Sequence, residues 1–175
     1  QAGGILKEIG TTNRTHEQDY YNALNQNTGM ILKIHTSNFE IQGFTSNVEE
    51  GKLSKIAKTA EIPFIVDVGS GRLSNWKNFH LPKEPTVQDA ILSGADLVCF
   101  SGDKLIGGPQ AGLIVGRADL VEKINANPIK RAMRVDKITI AALRATLQSL
   151  LFTEKFEGNS PTFKQINRPL SHIQL

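Results

Sequence analysis

The sequence predicts an α/β fold: a mostly parallel sheet flanked by helices. Apolar runs of four to six residues alternate with longer amphipathic segments, the pattern of βαβ units. The apolar runs are followed by turns rich in Gly, Ser and Asp, where the chain must reverse before the next element. A chain of 175 residues with 39% hydrophobic composition is also long enough to bury a sizeable core as one soluble unit.

The elements follow in order. Gln1-Ala2-Gly3-Gly4 offers no Ser, Thr, Asp or Asn to cap a helix, and the chain is expected to start inside a larger fold. Met30 to Ile34 reads as a buried strand. Val48, Leu53, Ile56, Ala57 and Ala60 recur at helical spacing, so Val48 to Ala60 is expected to be an amphipathic helix capped by Ser46 or Asn47. Phe64 to Val68 is the next strand, ending in Asp67-Val68-Gly69-Ser70-Gly71, whose glycines permit unusual dihedrals. An irregular stretch from Leu73 to Glu84 precedes a short helix, Thr86 to Ser93, and a strand, Asp96 to Phe100. Beyond Ser101-Gly102-Asp103-Lys104, the turn Gly107-Gly108-Pro109-Gln110 leads into a strand from Ala111 to Val115. Ala118 to Ala126 and Ile138 to Leu150 read as helices, the first closed by Asn127-Pro128. The Glu-, Gly-, Asn- and Pro-rich tail from Phe152 to Pro161 marks a boundary, with Ile166 to Leu175 the first element of a further subdomain.

Composition narrows the setting. The formal net charge of +3 is spread along the chain, which permits an anionic partner without demanding one. Runs such as Ile62-Pro63-Phe64-Ile65-Val66 are far shorter than the roughly 18 residues of a membrane span, and none is expected. A single cysteine, Cys99, within Leu97-Val98-Cys99-Phe100, cannot form an intrachain disulfide; a reducing cytoplasm suits it, and it reads as a buried strand residue. No metal-ligand set is expected.

Three residues at strand ends suggest chemistry, because ligands of α/β sheets gather at the carboxyl ends of strands. Asp67 closes one strand and could pair with the protonated pyridine nitrogen of pyridoxal 5'-phosphate (PLP). Lys104 follows the next strand and could form the Schiff base. Ser101, three positions before it, could offer its hydroxyl to the cofactor phosphate, so that one short turn orients both ends of the cofactor. Each has a plainer reading: Asp67 as a turn residue before Gly-Ser-Gly, and Lys104 as a solvated side chain. The segment Gly107-Gly108-Pro109-Gln110-Ala111-Gly112 could cradle a phosphate through its amides, but it matches neither nucleotide-binding glycine pattern.

Seven segments in register carry a resemblance: Gly10-Thr11-Thr12-Asn13-Arg14-Thr15, His35-Thr36-Ser37-Asn38-Phe39, Asp67-Val68-Gly69-Ser70-Gly71, Glu84-Pro85-Thr86-Val87-Gln88, Phe100-Ser101-Gly102-Asp103-Lys104-Leu105, Gly107-Gly108-Pro109-Gln110-Ala111-Gly112 and Arg131-Ala132-Met133-Arg134-Val135-Asp136-Lys137. Together they resemble the bacterial selenocysteine synthase family, the L-seryl-tRNA(Sec) selenium transferases, from about Glu8 to Leu150, with a weaker echo in Asn167-Arg168-Pro169-Leu170. The resemblance implies the large domain of a fold-type-I PLP-dependent transferase, incomplete here. Residues 1–151 would form the catalytic large-domain portion, and 152–175 a linker and the start of a C-terminal small domain.

It also implies roles. Lys104 would hold PLP, Asp67 would face the pyridine nitrogen, and Asp103 would lie close to the reacting centre. Arg131 and Arg134 fall on family arginines that look like the selenophosphate site, and paired guanidinium groups suit a tetrahedral oxyanion; the plain alternative is the start of a surface helix. His35, Ser37 and Asn38 follow a strand where related enzymes place groups near the cofactor ring oxygen. The implied reaction converts seryl-tRNA(Sec) to selenocysteinyl-tRNA(Sec), with Lys104 as base for the α-proton and Asp103 assisting departure of the hydroxyl. A ring-like cytoplasmic homo-oligomer built from dimers is implied as well. The family is longer than this chain, so a central fragment is expected. Two other readings stay open: a PLP enzyme acting on a free amino acid, and a non-catalytic fragment serving assembly or RNA binding.

Overall fold

A computed structural model describes residues 3–73, 84–152 and 160–173. Most of the predicted irregular stretch between Leu73 and Glu84, and most of the boundary segment from Phe152 to Pro161, lies outside the described residues.

Four strands form one sheet in the order β1 (Ile31–Ile34), β2 (Phe64–Gly69), β3 (Leu97–Ser101) and β4 (Gly112–Gly116). β1 and β2 are parallel, as are β2 and β3, while β4 returns antiparallel to β3. Chain length between the strands explains the difference. The first two connections include helices that cross over the sheet; the last is the short glycine-rich turn, long enough only for reversal. The predicted mostly parallel α/β class is therefore the one observed.

The helices flank this sheet: α1 (Glu17–Ala23), α2 (Glu50–Thr59), α3 (Val87–Leu92), α4 (Ala118–Ala126), α5 (Ile129–Met133), α6 (Lys137–Phe152) and α7 (Pro161–Ile166). Strand alternation sorts the residues of β2. Phe64, Val66 and Val68 are buried, packing with Leu53, Ile56 and Ala57 of α2 and with Val87 and Ala90 of α3 in one core. Ile65, Asp67 and Gly69 are only half-buried, as alternate side chains of a strand face opposite ways.

Several boundaries differ from the sequence reading. The N-cap of α2 is Glu49, without a side-chain cap bond, instead of Ser46 or Asn47. Ser46 is drawn away because its hydroxyl donates to Thr15 O at 3.4 Å and its backbone engages Asn13 and Thr15. Helix α1 was not anticipated; its charged, Asn- and Tyr-rich sequence lacks a clear apolar stripe, and no residue of it is fully buried. α5 follows Pro128 where a chain end to the helical segment was expected, since proline serves well at a helix start. Asp136 opens α6, its carboxylate accepting from the backbone of Ile138 and Thr139 at 2.7 and 2.9 Å. Among the described residues no helix is long and apolar enough to cross a membrane, and no cluster of three His, Cys, Asp or Glu side chains could hold a metal.

Candidate active site

The carboxyl ends of β1, β2 and β3 lie side by side, and most of the predicted site residues come from them. Pairing of Ile34 with Asp67 continues one step further, where His35 N donates to Asp67 O at 2.8 Å. Register between β2 and β3 runs from Ile65 opposite Leu97 to Asp67 opposite Cys99, then slips between Asp67 and Gly69. The slip is local and has a visible cause. Asp67 Oδ1 accepts from Gly69 N at 2.9 Å, and Gly69 takes φ +61°, a conformation costly for a residue with a Cβ. Asp67 thus performs the turn role allowed by its sequence context.

Gly69 is the point on which the other groups converge. A Cβ built there would stand 3.3 Å from Ser37 Oγ and 3.8 Å from Lys104 Nζ. The lysine amine, the serine hydroxyl and the Asp67 turn therefore border one cradle, which any side chain at position 69 would begin to fill. The Lys104 backbone is held firmly: its carbonyl accepts from Gly107 N at 3.0 Å and Thr162 Oγ1 at 3.1 Å, and Leu105 N donates to Ser70 O at 3.1 Å. Gly71 allows this approach. At φ +69°, its missing Cβ would lie 2.6 Å from Ser101 O.

Ser101 ends β3 opposite Gly112 and is half-buried; strand alternation puts it on the same face as Cys99. Cys99 is half-buried rather than enclosed. Burial pushes its thiol above the ordinary range, and the Asp67 carboxylate raises it further. Asp103 and Asn38 are exposed. Arg131 lies in α5, and Arg134 is its C-cap; both are exposed. Asp67, Ser37, His35 and Lys104 are gathered, and among the described residues no hydrogen bond or ion pair joins either arginine to them.

Glu84 had no assigned role, although it belongs to a quoted segment and directly precedes the Pro-Thr start of a helix. Its Oε1 stands 3.8 Å from His35 Nε2, beside the cradle, and is buried with no hydrogen-bond partner among the described residues. Arg72 Nη1 donates to the Glu84 carbonyl at 2.8 Å, and Val87 N to Arg72 O at 3.0 Å, tying this position to the end of β2. An acidic residue before a proline suggests only a turn, which is why the contact was not legible.

Two solved structures share the fold. D-glucosaminate-6-phosphate ammonia-lyase aligns with a TM-score of 0.70 and 24% identity over 85% of this chain and 37% of that one. The apo form of CalE6, a methionine gamma lyase from Micromonospora echinospora, aligns with a TM-score of 0.51 and 18% identity over 72% of this chain and 32% of that one. Among curated proteins, L-seryl-tRNA(Sec) selenium transferase of Escherichia fergusonii is 49% identical across the full 175 residues. The protein of the same name from Salmonella heidelberg is 49% identical over 174 residues, 99% of this chain. The chain spans 38% of the length of each of these relatives. The family model for L-seryl-tRNA selenium transferase matches residues 1–175, and the chain therefore belongs to that family.

Proposed function

We propose that this chain carries the PLP-binding core of an enzyme converting seryl-tRNA(Sec) to selenocysteinyl-tRNA(Sec) with selenophosphate. The observation that carries the reading is the convergence of Lys104 Nζ and Ser37 Oγ on Gly69, beside Asp67 at the end of β2. The donor set suits PLP: an amine for its aldehyde, a carboxylate for its pyridinium, and hydroxyls for its polar substituents, around a glycine that leaves space. Lys104 would hold the group, Asp67 would face its ring nitrogen, and Ser101 would face its phosphate. His35, Ser37 and Asn38 would border the ring. When bound, PLP supplies an electron sink for negative charge at the carbon next to the substrate amine.

The chain's own groups supply positioning and proton movement. The Lys104 amine takes the α-proton of the seryl group, and its clamped backbone limits where that amine can reach. Asp103, its exposed neighbour, passes the proton taken by Lys104 on to the departing hydroxyl oxygen, which leaves as water. Arg131 and Arg134 receive the selenophosphate oxyanion through charge-assisted hydrogen bonds, and their present exposure and lack of ion-pair partners among the described residues leave them available. The setting we propose is the cytoplasm, and the working form a homo-oligomer.

The test is borohydride reduction of the purified chain with PLP, followed by peptide mass spectrometry. Stoichiometric pyridoxyl labelling at Lys104, lost in Lys104→Ala, is the expected result. Labelling scattered over surface lysines and unchanged by Lys104→Ala would overturn the cofactor assignment.

A further inference from the structure

We infer that Glu84 is a positioning residue for His35, holding the imidazole with Nε2–H directed at its carboxylate so that the opposite ring edge keeps one fixed orientation beside the Gly69 cradle. The inference rests on the reading of that cradle as the cofactor site. Glu84 Oε1 and His35 Nε2 are 3.8 Å apart, with side chains 20% and 30% exposed. That separation is too short to admit a bridging water, and a shift of less than about an ångström brings it into hydrogen-bond range. Glu84 Oε1 is otherwise buried and unpartnered among the described residues, and a carboxylate oxygen left so is costly. Closing on His35 satisfies it.

Both partners are anchored by their backbones. His35 N donates to Asp67 O, and the Glu84 carbonyl accepts from Arg72, so the pair joins the end of β1 to the entry of α3 across the end of β2. A histidine whose one ring nitrogen is engaged by a carboxylate has its tautomer set by that bond, and the other nitrogen is left as a defined acceptor.

The experiment is nitrogen NMR of the side-chain imidazoles in the full chain without cofactor, with His35→Asn used to assign the His35 signals among the four histidines. In the unaltered protein, neutral His35 is expected to carry its proton on Nε2. The Nε2 proton should be protected from exchange with water in the unaltered protein and in Glu84→Gln, whose amide oxygen still accepts; Glu84→Met, which cannot accept, should lose that protection. In fluorescence titration with PLP, Glu84→Met should weaken binding about tenfold, with Glu84→Gln in between. Predominant Nδ1 protonation in the unaltered chain overturns the inference with no variant required, and so does Nε2–H protection from exchange that is unchanged in Glu84→Met. Because the NMR is read without PLP, failure of the cofactor reading is seen separately, as absent labelling at Lys104.

Discussion

Replacing Gly71 tests the apposition that builds the site. With φ at +69°, an alanine would occupy the left-handed region at a cost of about 1–2 kcal/mol. Its Cβ would lie 2.6 Å from Ser101 O, 3.1 Å from Phe100 Cδ2 and 3.4 Å from Ile106 Cδ1. An ordinary carbon–oxygen contact is about 3.3 Å, so the ends of β2 and β3 must part by about 0.7 Å. Crowding of that kind adds about 1–3 kcal/mol, for a total near 2–5 kcal/mol. With a urea slope of about 2 kcal/mol per molar, the unfolding midpoint of Gly71→Ala should fall by about 1–2.5 M. Gly51→Ala is the matched control: it lies in α2 with its nearest neighbour, Ser93 O, 4.0 Å from the new Cβ, and should gain about 0.5–1 kcal/mol. Pyridoxyl labelling of Lys104 in folded Gly71→Ala should fall too, because the shift carries the Lys104 loop away from Gly69. A midpoint equal to that of the unaltered chain would refute the close approach of Gly71 to Ser101.

Two further outcomes follow from polar groups. Asp96 Oδ2 accepts from Phe64 N at 2.8 Å at the start of β2, so Asp96→Ala should cost about 1–3 kcal/mol by leaving that amide unpaired. Arg117→Ala removes an exposed cation that pairs with both Asp96 and Asp119 but leaves the Phe64 amide bonded, and should move the urea midpoint far less. Cys99 should make stability fall as the solution is made alkaline. Its folded thiol holds the proton to higher pH than the unfolded one, so its contribution is full below about pH 8.5 and is lost as pH rises through the folded value. Burial lowers the ammonium of Lys33, which has the opposite slope, so the measurement is the difference between the unaltered chain and Cys99→Ala across pH 8 to about 10. A difference that does not narrow would contradict the burial of the thiol.

Period-two and period-3.6 patterns are local properties, and they sufficed for the strands at Phe64 and Leu97 and for helices α2, α3, α4 and α6. The sequence by itself also determined the family, because seven short segments keep their order and spacing over most of the chain, and it marked Asp67 and Lys104 as residues at strand ends. It could not determine which side chains meet. That Lys104 Nζ and Ser37 Oγ share the space above Gly69 depends on the sheet register and on two glycines with positive φ. The helix cap at Glu49 was likewise decided by the competing bonds of Ser46 to residues some thirty positions earlier. Glu84 shows the same limit most clearly. Its meeting with His35 joins residues almost fifty positions apart through strand pairing and a backbone tie to Arg72, and no local pattern encodes a contact that only the folded sheet creates.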